Sequence, residues 1–371
     1  HRGAPGIDDV TPRELDHYAD VQLLPGKAAI AKLVVLLAVL AVLPFVVPGY
    51  RIFTLNYMAV FVIVGLGLSI LVGDTGQVSL GHAGFMAIGA YTSVLAMTEL
   101  GAPFLIALPA AGLVSAFFGF LLGLPALRLD GPYLAIATLG FGLAVTLIIG
   151  HGSFFGGHMG LVVPDAYLGP IPLSGDISHY FLIVGIAVVL ALAARNLSVT
   201  RVGRAFRAIR DSPIAAETMG VDVAYYKTLS FTVSAAFAGI AGSLLALMNG
   251  FISPGVFSVT LSLMFLAMVV FGGLGSIAGA VLGSLVMGYV NLRMDAVQEI
   301  PIFGPMLQNF SDAYMSPSGL PNVGWVLTGS MIMLTIMFEP RGLYGVWLRI
   351  EDGVRWLRRR GASDGPAAGT G

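Results

Sequence analysis

The segment RNLSVTRVGRAFRAIRDSPIAAETMGVDVAYYK, residues 195–227, is a long polar stretch enclosed by apolar sequence on both sides. It contains six basic residues, Arg195, Arg201, Arg204, Arg207, Arg210 and Lys227, and three acidic residues, Asp211, Glu217 and Asp222. An excess of basic residues in a loop between membrane-spanning helices marks the cytoplasmic side of the membrane. The segment therefore predicts a cytoplasmic loop inside an otherwise membrane-embedded chain.

The middle of this loop carries the start and stop signals of one short helix. Ser212 can accept a hydrogen bond from a backbone N–H at the helix start, and Pro213 suits the first helical position. Gly220 can adopt the left-handed conformation that ends a helix. The sequence therefore predicts a helix over Pro213–Met219, about 10 Å long at 1.5 Å per residue.

The predicted helix has a small apolar face. Ile214, Ala215 and Met219 lie three to five positions apart, while Glu217 points elsewhere. Such a face suits a groove on a partner protein. The alternative interpretation is an ordinary basic loop that contains a helix by chance.

The composition places the whole chain in the membrane. Of its 371 residues, 57% are hydrophobic and 11% are charged, whereas about 25% are charged in soluble domains. The net charge of -1 gives no indication of nucleic-acid binding. With no cysteine, the sequence excludes disulfides, Cys-ligated zinc, iron–sulfur clusters and thiol catalysis.

Apolar segments long enough to cross a bilayer recur along the chain. The stretch Ile52–Met97 would measure about 69 Å as one helix, twice the bilayer thickness, so a break is predicted at the turn-forming residues 73–76. We expect about ten spanning helices in all. They are Ala28–Val47, Ile52–Val72, Gly76–Met97, Phe104–Leu124, Pro132–Gly150, Tyr180–Ala194, Thr228–Asn249, Val259–Gly273, Ser276–Arg293 and Val323–Phe338. Residues 259–293 fit a re-entrant pair of half-helices as an alternative.

The distribution of basic residues predicts the topology. The connections 151–179, 250–258 and 294–322 contain no Lys or Arg, whereas the tail 339–371 contains six Arg. The loop 195–227 and the tail are therefore expected in the cytoplasm, and the polar tail 1–27 joins them there by counting crossings. This gives three regions: the N-terminal tail 1–27, a membrane domain 28–338 that contains the loop 195–227, and the C-terminal tail 339–371. Arg355–Arg360 either sets this topology or binds anionic lipid headgroups.

Residues 73–91 form a second notable stretch, rich in glycine. Small residues recur every four positions at Ser79, Ala83 and Ala87, a pattern that allows helices to approach closely. Gln77, Ser79 and His82 place polar groups at membrane depth, where lipid offers no hydrogen-bond partners. Two interpretations remain: hydrogen bonds that hold packed helices together, or a broken helix that lines a central transport pathway.

Several ordered motifs resemble one protein family, the permease subunits of ABC importers for branched-chain amino acids. The matching strings are GQVSLGHAGFMAIGAY at 76–91, PYLAIATLGFG at 132–142, GGHMGL at 156–161, GRAFRAIRDSPIAAETMGVDVAYYK at 203–227, VVFGGLGS at 269–276 and FEPRGL at 338–343. Two departures are visible. His158-Met159 stands where the family usually has Ser-Asn, and Glu339 replaces a commonly basic or polar residue.

The resemblance implies an all-α polytopic membrane protein with a discontinuous helix near 73–84 and a cytoplasmic coupling helix. It implies coupling to an ATPase through the loop residues Arg207, Arg210, Asp211, Ser212, Pro213, Ala215, Ala216, Glu217 and Gly220. It further implies a translocation pathway near Gln77, Ser79, His82, Tyr91 and Thr138. The expected location is the bacterial inner membrane, with both termini in the cytoplasm.

The resemblance also implies the partners. They are a second homologous permease, two ATP-binding cassette ATPases, an extracytoplasmic substrate-binding protein and the lipid bilayer. The expected substrates are leucine, isoleucine and valine, with urea or short amides as the alternative. ATP and Mg²⁺ belong to the ATPase subunits, and this chain is expected to need no cofactor or metal of its own.

Other functions receive less support from the residues. The only Gly-Lys pair, Gly26-Lys27, lacks the surroundings of a P-loop, and no serine lies in a nucleophile elbow, so we expect no enzyme activity. His151, His158 and His179 share one connection with Asp165 and Asp176, but their spacing fits no metal-ligand motif. A self-sufficient secondary transporter would usually place carboxylates inside its spans, whereas the acidic residues here fall at predicted span ends.

Overall fold

The computed structural model describes residues 27–127, 129, 131–168, 171–172 and 175–292, together with the isolated positions 333, 342, 343 and 345. Within these residues the chain is helical, with four two-residue strands in the connections. The predicted all-α membrane architecture is confirmed for this part of the chain. The N-terminal tail, the connection 294–322, the span Val323–Phe338 and the tail 339–371 lie outside the described residues, apart from the isolated positions.

The helices follow the apolar segments of the sequence closely. They are α1 Lys27–Val46, α2 Gly49–Leu68, α3 His82–Thr98, α4 Phe104–Ala126, α5 Pro132–His151, α6 Asp176–Val199, α7 Arg201–Asp211, α8 Pro213–Thr218, α9 Val223–Asn249, α10 Val259–Gly272 and α11 Ile277–Leu292. A π-helical turn, Ser69–Asp74, extends α2. Proline or glycine stands at or beside many of the ends, because neither residue favours continuation of a helix.

Five helical segments are long and apolar enough to cross a membrane. They are Gly49–Asp74, Phe104–Pro125, Pro132–His151, Asp176–Val199 and Val223–Asn249. Shorter apolar helices cover Val34–Val46, Val259–Gly272 and Ile277–Leu292. At 14 residues, α10 is about 21 Å long, short of a bilayer core of about 30 Å. The re-entrant alternative for 259–293 therefore stays open, and the total of ten spans stays a prediction.

The core of the bundle is built around α2 and α9. In each of them 78% of the most apolar 18-residue window is buried, against 22–28% in α4, α5 and α6. Helices α4, α5 and α6 therefore present large apolar surfaces outward, as helices that face lipid do.

Glycine contacts bring α3 and α9 unusually close. Gly89 lies directly against Gly239, and a Cβ placed at either position would overlap backbone or side-chain atoms of its neighbours. One of these neighbours is Ser115 of α4, which also donates a hydrogen bond to the Phe85 carbonyl at 3.1 Å. Backbone-to-backbone contact of this kind is the usual way in which membrane helices gain packing energy.

The sequence misplaced the start of the third predicted span. We expected it to begin at Gly76, but helix α3 begins at His82, and residues 76–81 form no regular helix. Ser79 therefore does not belong to a helical stripe with Ala83 and Ala87, as the four-residue spacing had suggested. The physical reason lies in the side chains that hold this segment, described below.

The loop 195–227 is also more ordered than its polarity suggested. Helix α6 continues to Val199, and a further helix, α7, occupies Arg201–Asp211. Its Phe206 and Ile209 are buried, with 0% and 1% of their surfaces exposed. Apolar residues at 202, 206 and 209 have helical spacing, so the signal was present but was hidden by the surrounding arginines.

The connections at the opposite end of α9 from α8 contain the strands. β1 Leu161–Val162 pairs antiparallel with β4 Phe251–Ile252, with Leu161 opposite Ile252. The strands β2 Tyr167–Leu168 and β3 Ile171–Pro172 pair antiparallel as a small hairpin. The β1–β4 pair links two connections that are about 90 residues apart in sequence.

The glycine contact gives a prediction about stability. Gly239→Ala should lower the free energy of unfolding by about 1–3 kcal/mol, because the added methyl group overlaps Ser115 and the α4 backbone. Thermal unfolding of the purified protein in detergent measures the change. The matched control is Gly140→Ala in α5, where a Cβ would meet nothing within 4 Å; equal behaviour of the two variants would contradict the packing argument.

Candidate functional site

The break between α2 and α3 is the most unusual backbone feature among the described spans. After the π-helical turn the chain passes through Thr75 and through Gly76, whose φ of +72° favours glycine, and it becomes helical again at His82. The turn that follows the π-helical residues is held by backbone bonds from Gly76 N to the Val72 carbonyl at 3.2 Å and from Gln77 N to the Leu71 carbonyl at 3.1 Å.

Hydroxyl groups of other helices accept hydrogen bonds from backbone amides that have no helical partner at the break. The Leu80 amide donates to Thr138 Oγ1 of α5 at 2.9 Å. The Ala83 amide donates to Ser262 Oγ of α10 at 3.0 Å. In a bilayer core an unpaired backbone group is expensive, so these two hydroxyls make the non-helical conformation possible.

Gln77 attaches the break to α9. Its Nε2 donates to Ser230 Oγ at 2.8 Å and to Thr75 Oγ1 at 3.1 Å, and Thr75 Oγ1 donates to the Leu71 carbonyl at 2.5 Å. Gln77, Thr75 and Ser230 are all buried. The network therefore ties the π-helical end of α2 to the first turns of α9, while Gln77 Oε1 has no partner among the described residues.

His82 makes a second attachment to α9. Its Nδ1 lies 3.0 Å from Ser79 Oγ, and its Nε2 lies 2.7 Å from Ser234 Oγ. A serine hydroxyl can donate or accept, so both ring nitrogens are satisfied in either tautomer. The ring is fully buried and packs edge-on against Phe85 at 5.6 Å between centroids.

The structure brings together four of the five residues that were predicted to line a pathway. Gln77, Ser79, His82 and Thr138 surround the break, and each has at most 5% of its surface exposed. Tyr91 lies farther along α3, against aromatic rings of the connections. Whether any of these side chains contacts a substrate stays a prediction. Ser230, Ser234 and Ser262 were missed, although Ser230 and Ser234 have the four-residue spacing of one helix face.

The break is also attached to the loop 195–227. Arg210 Nη1, at the end of α7, donates to the Gly73 carbonyl at 2.8 Å. Ser198 Oγ, at the end of α6, donates to Asp74 Oδ2 at 2.9 Å. Gly73 also packs against Gly275, where a Cβ on Gly73 would lie 2.5 Å from the Gly275 amide nitrogen. The loop, the break and the α10–α11 turn therefore meet at one point.

The start and stop signals predicted for the short helix are present in α8. Ser212 Oγ accepts from the Ala215 amide at 3.3 Å, Pro213 occupies the first turn, and Gly220 has φ of +82°. Ala216 is buried, whereas Ala215 and Glu217 are exposed. The Arg210–Asp211 ion pair, at 3.2 Å, is exposed and contributes little to stability.

No described residue of this chain covers the apolar side chains at α8. Ile214 and Met219 have 77% and 84% of their surfaces exposed. Arg207, one turn before the end of α7, is partly buried. A helix that begins one residue after the anchored α7 and presents two large apolar side chains outward can contact a partner and remain attached to the bundle.

Two of the histidines of the connection 151–179 lie close together. The rings of His151 and His158 stand 5.2 Å apart between centroids. No group of three or more potential ligands occurs among the described residues. His179 lies in the first turns of α6 and has its own interactions.

The His82 contacts lead to a prediction. Ser234→Ala should lower the free energy of unfolding by about 1–3 kcal/mol, because it leaves a buried imidazole nitrogen unpaired. Ser93→Ala is the control, since the equally buried Ser93 hydroxyl only donates to the Ala90 carbonyl of its own helix. Thermal unfolding in one detergent compares the two variants. If Ser234→Ala lowers thermal stability no more than Ser93→Ala does, this result argues against a structural role for the His82–Ser234 bond.

Comparisons with known proteins give a consistent picture. The family model described as branched-chain amino acid transport system / permease component matches residues 50–336. The chain is 34% identical over 336 residues to the high-affinity branched-chain amino acid transport system permease protein LivM of Escherichia coli, covering 84% of this chain and 74% of that protein. The LivM protein of Salmonella typhimurium has the same identity and coverage.

A second group of relatives is more distant. The LivH permease protein of Escherichia coli is 25% identical over 303 residues, covering 77% of this chain and 91% of LivH. No solved structure matches the chain.

Proposed function

Because this chain belongs to the family of branched-chain amino acid transport permeases, we propose that it is the membrane-spanning subunit of an ATP-driven importer for leucine, isoleucine and valine. The family and the apolar helices make it a multi-pass membrane protein and a transport subunit. The importer mechanism, the named substrates and the remaining subunits are the proposed part.

The observation that carries the proposal is the connection between α8 and the broken helix. Helix α8 exposes Ile214 and Met219, and it follows directly on α7, whose Phe206 and Ile209 are anchored in the core. Arg210 joins the end of α7 to the Gly73 carbonyl. A push or pull on α8 would therefore reach the break through buried and hydrogen-bonded contacts.

The energy for transport would enter through this contact. In the described spans the charged residues lie near helix ends, as Arg51, Asp176 and Lys227 do, which does not resemble a proton pathway through a span. Partner ATPases that bind ATP and Mg²⁺ would supply the work instead. The loop residues Arg207, Arg210, Asp211 and Glu217 would contact or support that interface.

A second permease subunit is supported by the relatives. Both LivM and LivH permease proteins occur in Escherichia coli, and this chain resembles both. We propose that the chain pairs with a LivH-like subunit, that two ATPases bind beneath the pair, and that an external binding protein delivers the amino acid. The binding protein would carry much of the selectivity.

The proposed mechanism is alternating access. When the ATPases close, α8 and α7 move together, and the Arg210–Gly73 and Ser198–Asp74 bonds transmit the movement to the π-helical end of α2. The broken segment can change its angle because it lacks the continuous hydrogen-bond ladder of a helix. The pathway residues proposed for the substrate are Gln77, Ser79, His82, Tyr91 and Thr138.

The decisive experiment is reconstitution. The chain is purified with a LivH-like permease and the ATPases of the same system, and ATP hydrolysis and uptake are measured with leucine-loaded binding protein. Stimulation by the loaded binding protein supports the proposal. Stimulation only by urea or a short amide changes the substrate. Transport by the chain alone without ATP would overturn the importer mechanism.

A first test concerns the end of α8. Gly220→Pro should abolish most substrate-stimulated ATP hydrolysis and uptake, because proline requires φ near −65° and Gly220 has +82°. Gly101→Pro is the matched control: its φ is +62°, and at both glycines a Cβ would meet nothing within 4 Å. Normal uptake by Gly220→Pro would count against a coupling role for α8.

A second test concerns the link to the break. Arg210→Ala should leave the ATPases bound but reduce the uptake obtained per ATP hydrolysed, because the Gly73 carbonyl loses its contact with α7. Arg204→Ala serves as the control, since its Nη1 donates to the Val199 carbonyl outside the break, at 3.2 Å. An unchanged ratio of uptake to hydrolysis in Arg210→Ala would contradict the proposed transmission.

A further inference from the structure

Three aromatic rings meet at the end of the bundle opposite α8. Tyr91 of α3 contacts Phe155, which follows α5, and Phe257, which follows α9. The ring centroids are 6.1 Å and 6.4 Å apart, with interplanar angles of 82° and 62°. Since α8 precedes the first residue of α9 and Phe257 follows its last, the 27-residue α9 separates the two ends by about 40 Å.

The two phenylalanines come from connections that are joined to each other. The β1–β4 pair links the connection of Phe155 with that of Phe257. The Val163 amide also donates to the Gly250 carbonyl at 3.0 Å. Phe257 is buried and Phe155 is partly buried. Together these connections form a single cover over Tyr91.

Two buried hydroxyls, one beneath this cover on Tyr91 and one at the same level on Ser243 of α9, lack hydrogen-bond partners. Tyr91 Oη and Ser243 Oγ are two of only four such buried side-chain atoms among the described residues. Both lie at one level of the bundle, because a Cβ on Gly242 of α9 would be 3.1 Å from the Ala90 amide nitrogen. Tyr91 has 2% of its surface exposed, and Ser243 has none.

An unpaired buried hydroxyl lowers the stability of the protein, and packing at these positions does not require a hydroxyl. Burying a hydroxyl without a partner is unfavourable, and phenylalanine would fill the same space as Tyr91 without that cost. A hydroxyl in this position gains a partner when a polar ligand or water replaces the cover. The rings around it would suit an apolar side chain.

We propose that Tyr91 is a substrate-contacting residue beneath a gate formed by Phe155 and Phe257, and that the gate is closed in this structure. The ligand is a zwitterionic α-amino acid with an apolar side chain. When the gate opens, the Tyr91 hydroxyl donates to the ligand carboxylate, while Ser243 offers a second hydroxyl at the same level. This inference rests on the proposed amino acid transport and assigns its entry point.

The test substitution is Tyr91→Phe in the reconstituted complex. It should reduce leucine uptake at limiting loaded binding protein by about 3- to 10-fold, the range of one hydrogen bond. Thermal stability should stay equal or rise, because the variant removes an unpaired buried hydroxyl. A hydroxyl that served only the structure would show the reverse, with lowered stability and normal uptake per folded complex.

Tyr180→Phe is the matched control. Tyr180 is also buried, but its hydroxyl donates to the Leu40 carbonyl at 2.9 Å. This variant should lose thermal stability and retain its uptake per folded complex. Uptake by Tyr91→Phe that equals uptake by the unchanged protein would overturn the inference. Absence of leucine uptake by the unchanged protein would instead refute the proposed function, so the two failures are distinguishable.

The gate has its own measurement, which the sequence makes simple because it contains no cysteine. Ser243→Cys places a buried thiol at the level of Tyr91, and a small water-soluble thiol reagent probes it. The thiol should be protected in the resting complex and become reactive when Phe257→Ala is added. Reactivity that is the same with and without Phe257→Ala would show that Phe257 does not close the site.

Discussion

The central constraint on this molecule is that the non-helical residues 76–81, between α2 and α3, lie inside the apolar bundle. A continuous helix satisfies its own backbone groups, and a break leaves donors and acceptors that lipid cannot satisfy. Here the hydroxyls of Thr138 in α5 and Ser262 in α10 accept from two of the freed backbone amides, and the Gln77 and His82 side chains bond to Ser230 and Ser234 of α9. The positions of α5, α9 and α10 around α3 are therefore tied to the break.

The same break connects the two ends of the molecule. On one side, Arg210 and Ser198 bond to Gly73 and Asp74 at the π-helical end of α2. On the other side, α3 runs from His82 to the aromatic cluster around Tyr91. The glycine contacts between α3 and α9 make this part of the bundle stiff. In the proposed mechanism, a movement that enters at α8 reaches the break before it reaches the far end.

The structure also separates polar residues that the sequence could not tell apart. His82 and Ser79 have partners inside the bundle, whereas the Tyr91 hydroxyl is equally buried and has none. Hydrogen-bonded groups explain why the fold tolerates polarity at membrane depth. The Tyr91 hydroxyl makes no hydrogen bond that would explain its burial. This difference directs attention to the end of the bundle where Phe155 and Phe257 cover Tyr91.

The sequence by itself determined the membrane character, the boundaries of most long helices, the break near Gly73 and the start and stop signals of α8. These features follow from local chemistry: apolar length, turn residues, caps and a left-handed glycine. Only the tertiary structure decided that α3 starts at His82, that α7 is a helix, and that Ser230, Ser234 and Ser262 belong to the site. The physical reason is that hydrogen-bond partners and packing neighbours come from residues far away in the chain, and local patterns carry no information about which of them will meet.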